Sequence, residues 1–409
     1  MEDGFDRLTP TNALAPRRTA PREAVEALLL LSGCLFEMRE GATATAGARV
    51  KRLLEGTPGE CLDPDAVMNA MIAGGLRGET NYWRAHCVPT GQRLVTELCD
   101  RPVGCPPDMH ALPSRRFTVS FRRTFDLTRA SARRLRMPAP VEDAHLTDLE
   151  IAVDTAEGDV AIGPGRLEAK PDAGVRGRVD LAARFTFNAQ PGLPHGRRAR
   201  GDPQDLTLWL AEREGPIQVT AAVAALAARL ACGQREPFDQ VLAFRNHVID
   251  TMACGRIALD QVGAAPLDWV IAQRWFDCRL GAALLVALCR ARGLPARLVG
   301  GYLLWQAPSE HYWMEVWLPD QGWTPFDLLA WDLSAGGREP AWRDIYAGAV
   351  DYRMKTQVFP RIFTGAPGVP MAAAWHRLSR MTADGTETRI VSIPDGDLIY
   401  ADRLSVVRG

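Results

Sequence analysis

Three side chains able to act together on a carbonyl carbon follow one another late in the sequence: a thiol at Cys278, an imidazole at His311 and a carboxylate at Asp327. A thiolate adds to the carbon, an imidazole holds the thiol's proton and returns it to a leaving group, and a carboxylate orients the imidazole and stabilises its cation. The local patterns supply elements that could hold all three. Asp277 predicts a helix cap with Cys278 in the first turn, where the positive end of the macrodipole favours a thiolate. Gly281, Ala282, Leu285 and Leu288 recur at three- and four-residue steps, and Gly293-Leu294-Pro295 stops the helix. Ala296 to Trp305 reads as a strand, with a turn at Pro308-Ser309. His311 to Leu318 is a second strand, Pro319 to Gly322 a turn, and Trp323 to Asp327 a third strand. His311, Trp313, Glu315 and Trp317 alternate onto one face of theirs.

Structural explanations compete with each of these. Cysteine is among the most buried residues, and Cys289, lower on the same helix, reads as core. Zinc would want close ligand pairs, yet Cys278 and His311 are far apart and the sequence holds no CxxC or HxxxH. His86 and Cys87 read as packing or a turn, or as the lining of a substrate entrance. His247 reads as a core or surface histidine.

The stretch resembles the transglutaminase-like (papain-like thiol) superfamily of bacterial type. Cys278 at the head of its helix, the CRARGLPARLVGGY run, HYWMEVWLP and GWTPFD carry the resemblance, which spans roughly 205–333. It implies a Cys278–His311–Asp327 triad. Family members place a Trp or Gln near the oxyanion hole, which makes Gln273, Trp269 and Trp275 candidates for that donor. The chain departs from the family pattern at Phe276, where glycine is usual, at Tyr312, where alanine is frequent, and at Leu328, where proline is frequent. With Trp275, the rings of Phe276, Tyr312 and Trp313 suggest a narrow, partly dry substrate mouth.

The function expected is cysteine-dependent acyl transfer at an amide, ester or thioester carbonyl. A thioacyl-enzyme is then resolved by an amine or by water, on a peptide, protein or small-molecule substrate. A purely hydrolytic peptidase or amidase is the alternative, and an inactive binding module of the same fold is the alternative of another class. No cofactor and no metal site is expected, and no EF-hand loop occurs.

Hydrophobic residues make up 47 % and charged ones 24 % of 409 residues, an ordinary globular composition for two or three domains. A net charge of -1 argues against a general nucleic-acid partner. Nine cysteines without dense pairing, an acidic MEDGFDRL start and a short apolar run at Ala27–Phe36 point to the cytoplasm and to no membrane. The fold class expected is α+β. An irregular arm covers 1–20, and a helical N-terminal region covers 21–103, with Pro21 at a helix start. An antiparallel β-sandwich-like domain covers 115–190, where Phe117, Val119 and Phe121, and Val179 to Phe187, alternate. The core covers 205–333, with the Cys at a helix N-terminus packed on an antiparallel sheet. A C-terminal extension covers 334–409 and ends in a hairpin.

Overall fold

The computed structural model describes residues 20–21, 61–62, 92–93, 95–128, 135–192, 206–254, 264–304, 309–328, 340–359, 380–381, 386–393 and 396–409. The apolar stripes expected at 25–35 and 67–72, and His86 and Cys87, lie outside these residues. Pro21 is not at a helix start: Ala20–Pro21 pairs antiparallel with Cys61–Leu62, and proline, lacking an N–H, suits such a marginal strand.

The first layered unit is built from β1 (Arg115–Asp126), β2 (Leu135–Pro138), β3 (Leu146–Thr155), β4 (Asp159–Gly163), β5 (Arg166–Lys170) and β6 (Arg178–Ala189). The period-two pattern does here what it predicts. Phe117, Val119, Phe121 and Phe125 of β1 and Val179, Leu181, Phe185 and Phe187 of β6 are buried, each such chain contributing roughly 1.5–3 kcal/mol. The opposing layer, β2-β5-β4, adds Leu135, Met137 and Leu167 to the same core. Two charged pairs interrupt this apolar interior, one of them Arg136 and Glu168 at 2.8 Å. Arg123 holds Asp402 through two hydrogen bonds of 2.5 and 2.6 Å and donates at 3.0 Å to the Arg136 carbonyl on the other layer.

Four helices follow: α1 (Ala221–Leu230), α2 (Pro237–Thr251), α3 (Pro266–Gln273) and α4 (Cys278–Arg290). The helix expected from Ile217 starts later, at Ala221. Ile217–Gln218 is instead a short strand against Arg213–Glu214, because Gly215 takes a positive φ of 59° in the turn and the Thr220 hydroxyl caps Val223 N–H. The segment expected as a helix at 205–212 is a 3₁₀ turn over Leu206–Leu210.

After α4 come β7 (Ala296–Leu303), β8 (Ser309–Leu318), β9 (Gly322–Phe326) and β10 (Arg353–Val358), in the antiparallel order β9-β8-β7-β10. Every residue of α4 from Arg279 to Arg290 is buried, so the helix lies in the middle of its unit. It packs on the sheet face carrying Tyr312, Met314 and Val316. The layered β-unit covers the opposite face, where Tyr302, Leu304, Tyr352 and Met354 join its core. The C-terminal stretch divides between the two units. β10 extends the sheet of the core, whereas β11 (Arg380–Met381), β12 (Thr386–Ile393) and β13 (Gly396–Arg408) extend β1-β6-β3 into six strands, with β13 paired to β1 from Phe117 to Asp126.

Candidate active site

The thiol comes first because its helix fixes the rest. α3 ends at Arg274, a non-glycine residue with φ of 53°, and this left-handed residue turns the chain into the buried Trp275–Phe276 pair. Asp277 then caps α4, its Oδ1 accepting Leu280 N–H at 2.6 Å. Burial raises the Asp277 carboxyl, opposed by Arg279 and by the cap hydrogen bonds. Cys278 is the first residue of α4 and is half-buried, at the positive end of the helix dipole. Cys289, three turns on, is fully buried against the Met314 sulfur at 4.0 Å, and burial pushes its thiol up.

His311 lies on β8 and Asp327 directly follows β9, which pairs with β8 from Met314↔Phe326 to Leu318↔Gly322. This pairing brings His311 Nε2 to 2.9 and 3.0 Å from the two Asp327 oxygens, with the histidine 6 % and the aspartate 1 % exposed. An Nε2–H that donates to the carboxylate leaves the lone pair of a neutral ring on Nδ1. The backbone of Asp327 is held too: its N–H donates to the Tyr346 carbonyl at 3.4 Å and its carbonyl accepts from Arg245 Nε at 3.2 Å.

A residue without any local signal completes this centre. Arg353, on β10, donates from Nη1 to Asp327 Oδ2 and from Nε to Asp351 Oδ1, while the Tyr346 hydroxyl donates to Asp351 Oδ2 at 3.2 Å. The guanidinium lies 5.1 Å over the Trp313 ring and 5.3 Å over the Tyr346 ring. Burial would lower the Arg353 pKa, but Asp327 and then Asp351 reverse this and raise it above the ordinary value. Asp327 thus sits between two partners, one of which is permanently cationic. The alternation Arg353, Lys355, Gln357 against Met354, Thr356, Val358 was available as a strand signal, but nothing local marks its partner as Asp327.

Residues 224–328, a span that contains the thiol, the imidazole and the carboxylate, match the sequence model of the transglutaminase-like superfamily core. This part of the chain is similar to the transglutaminase-like superfamily core, and the rest of the chain lies outside that match. A protein-glutamine gamma-glutamyltransferase of Pseudomonas aeruginosa is 26 % identical over 226 residues, which are 52 % of this chain but only 30 % of that relative's length. A solved structure of a candidate cysteine protease from Cytophaga hutchinsonii aligns over 73 % of this chain and 91 % of its own, with TM-score 0.43 and 16 % identity. The periplasmic domain of TgpA from Pseudomonas aeruginosa aligns over 59 % and 96 %, with TM-score 0.30 and 16 % identity.

The other expected residues of the transglutaminase-like core take the following places. Gln273 is half-buried at the last position of α3, Trp269 is partly buried one turn earlier, and Trp275 is fully buried. The rings expected at a narrow, partly dry mouth are buried: Phe276 is 1 %, Tyr312 5 % and Trp313 2 % exposed. Phe276 lies across α4 at Gly281, where an added Cβ would come within 2.5 Å of its ring and 2.7 Å of Leu328. Phe276 and Leu328, two of the departures from the family pattern, therefore fill one space over one glycine. Tyr312 faces α4, and Trp313, on the other face of β8, stacks beside His311 at 6.5 Å and 18°. Among the described residues no group of three or more His, Cys, Asp or Glu could hold a metal ion, and no helix is long and apolar enough to cross a membrane.

Proposed function

We propose that the chain is a cysteine-dependent acyl-transfer enzyme with Cys278 as nucleophile, His311 as proton carrier and Asp327 as the group that orients it. The buried His311–Asp327 contact at 2.9 and 3.0 Å carries this reading. The superfamily match over 224–328 and the position of Cys278 at the head of α4 support it. The Cys278 sulfur adds to an amide, ester or thioester carbonyl while the thiol proton passes to His311. The tetrahedral intermediate collapses as His311 protonates the leaving group, and a thioacyl-enzyme remains. An amine or water then attacks that carbonyl, giving up a proton to His311 and returning the thiol. The backbone N–H groups at the start of α4 are donors of the kind that stabilises the oxyanion.

The test is capture of the acyl-enzyme. Wild-type protein incubated with a lysate is weighed by mass spectrometry, then mapped. A mass increment on Cys278, absent from Cys278→Ala, is the expected result. Iodoacetamide should label Cys278 while sparing Cys99 and Cys289, whose thiols burial pushes up, that of Cys99 to about 12. An adduct that persists in a folded Cys278→Ala protein would overturn the assignment. No adduct and slow alkylation of Cys278 together would favour a binding module.

A further inference from the structure

Five buried arginines in and around the core can be compared by what their guanidinium groups hold. Arg245 donates to the Asp327 carbonyl at 3.2 Å, to Asn246 at 3.1 Å and to the Arg343 carbonyl. Arg290 donates to the carbonyls of Ala296 at 2.9 Å and Ala211 at 2.8 Å and to Glu214 at 2.7 Å. Arg297 donates twice to Glu315, at 2.8 and 2.6 Å, and Arg353 donates to two aspartates. Arg279 differs from all four in that its guanidinium makes no hydrogen bond among the described residues, whereas Arg353 leaves only Nη2 without a partner. Its side chain is 8 % exposed, its Nε and Nη1 are buried without a hydrogen-bond partner, and its Nη2 approaches Asp277 Oδ2 only to 3.9 Å. The other oxygen of Asp277 is already committed to the helix cap.

A buried donor left unmatched is costly, and more so when it is charged. The fold gains little from this cation, so its use lies in something it receives. Its position indicates what. Arg279 directly follows Cys278, and its guanidinium lies 5.6 Å over the ring of Tyr312, which directly follows His311. A second unmatched group flanks the same ring: Gln357 Oε1 is buried without a partner, and a Cβ added at Gly300 would lie 3.2 Å from it and 2.9 Å from Tyr312 Cε1. Donors and an acceptor thus wait around one aromatic ring, next in sequence to the thiol and to the imidazole.

We propose that Arg279 is a specificity-determining residue that binds a carboxylate of the acyl donor beside the Cys278 thiol. The proposal rests on the reading of Cys278 as the nucleophile. The unmatched Nε–H and Nη1 groups lie on different edges of the planar guanidinium, so either can donate to a carboxylate oxygen, and a charge-assisted hydrogen bond of that kind orients as well as binds. The substrate class it implies is an acyl compound with a free carboxylate close to the reacting carbonyl, such as an acidic residue or a chain terminus.

Two alkylating reagents isolate this preference without knowledge of the substrate. Iodoacetate and iodoacetamide both form a sulfur–carbon bond with loss of iodide, and they differ only in a carboxylate against an amide. Each is reacted with the full chain, and the modified cysteines are quantified by peptide mapping. Cys105 and Cys232, both exposed, serve as references in the same molecule. The ratio of iodoacetate to iodoacetamide rates at Cys278 should exceed that at the references by about tenfold, the lower end of the scale for a hydrogen bond to a charged group. Arg279→Met should bring the ratio down to the reference value. A cation near the thiol also favours the thiolate, but that affects both reagents and cancels in the ratio. Arg279→Gln, which keeps polar atoms at the site, provides the same readout should the methionine variant not fold. A wild-type ratio at Cys278 equal to the references, or an unchanged ratio in a folded variant, would overturn the proposal. Slow labelling of Cys278 by iodoacetamide itself would count against the nucleophile assignment, and the ratio still decides the carboxylate preference.

Discussion

Glu315 offers the most direct measurement of how the strand that carries His311 is held. It lies on the same face of β8 as His311, is 1 % exposed, and is bound by Lys355 Nζ at 2.5 Å and by Arg297 Nε and Nη2 at 2.8 and 2.6 Å. Burial alone would raise its pKa, but Lys355 and then Arg297 outweigh burial and hold it at about 2, against 4.5 for an ordinary glutamate. A carboxyl depressed in the folded state contributes stability that is fully present above the unfolded value and is lost as pH falls toward the folded one. The shift corresponds to roughly 3 kcal/mol, of which about 2 kcal/mol is lost between pH 4.5 and pH 3. Glu315→Gln removes that contribution and leaves two buried cations short of a partner, so its cost at pH 7 should be about 3–5 kcal/mol. The gap between wild type and variant should then narrow by about 2 kcal/mol on acidification to pH 3. Urea unfolding at pH 7, 5, 4 and 3 measures it. Tryptophan emission follows the unfolding, with Trp323 4.0 Å beneath the Arg297 guanidinium and 5.6 Å from Trp317 among its contributors. A gap that stays constant from pH 7 to pH 3, or a variant as stable as wild type at pH 7, would refute the reasoning.

Two further outcomes follow from the same interior. Arg353→Met should lower stability by about 3–5 kcal/mol in thermal or urea unfolding, because Asp327 and Asp351 lose their shared cation, and Arg353→Lys should recover only part, since an ammonium cannot span two carboxylates as a fork does. A chain cut to residues 205–409 should be insoluble or unfolded by circular dichroism, because it uncovers Tyr302, Leu304, Tyr352 and Met354, strips β13 of its partner β1 and takes Asp143 from Lys355.

The helix and three strands that position Cys278, His311 and Asp327 were legible because each is written in adjacent residues. Asp277 caps, Gly293 and Pro295 stop, and the turn at 319–322 sets the pairing of β8 and β9. The thiol's setting and the histidine's face follow from those elements alone. Arg353 was not legible. It is 26 positions from Asp327 in sequence, and no period or cap connects them. Asp143 and Lys355, 212 positions apart, are joined only once the β-unit docks on the core. The aromatic rings near the thiol misled for a related reason. Their positions were correct, but whether a ring lines a mouth or fills a core depends on what stands opposite. Opposite Phe276 stands Gly281, whose missing side chain opens a space that the ring occupies. Pro21 and Ile217 show the weaker side of local rules: a proline fits a strand edge as well as a helix start, and an apolar run does not say where its first turn begins.

The two faces of the central sheet explain why so many charges lie under the β-unit. The face toward α4 is apolar and fixes the helix by shape, through Tyr312, Met314 and Val316. The face that carries His311 cannot be apolar throughout, because an imidazole and a carboxylate must remain polar where they are buried. Asp327 in turn requires a cation, and Arg353 answers it; Arg353 also donates to Asp351, which accepts from the Tyr346 hydroxyl. Two residues along β8, Glu315 draws in Arg297 and Lys355, and Lys355 reaches Asp143 in the β-unit. Buried ion pairs add little net stability compared with apolar packing, but removing one partner is expensive, so they discriminate strongly against a wrong register. A one-residue slip of β8 would turn His311 and Glu315 toward α4 and leave Asp327, Arg297 and Lys355 unmatched. The charges on this face therefore fix which way the imidazole points, a task that hydrophobic packing, which accepts several registers, performs less well.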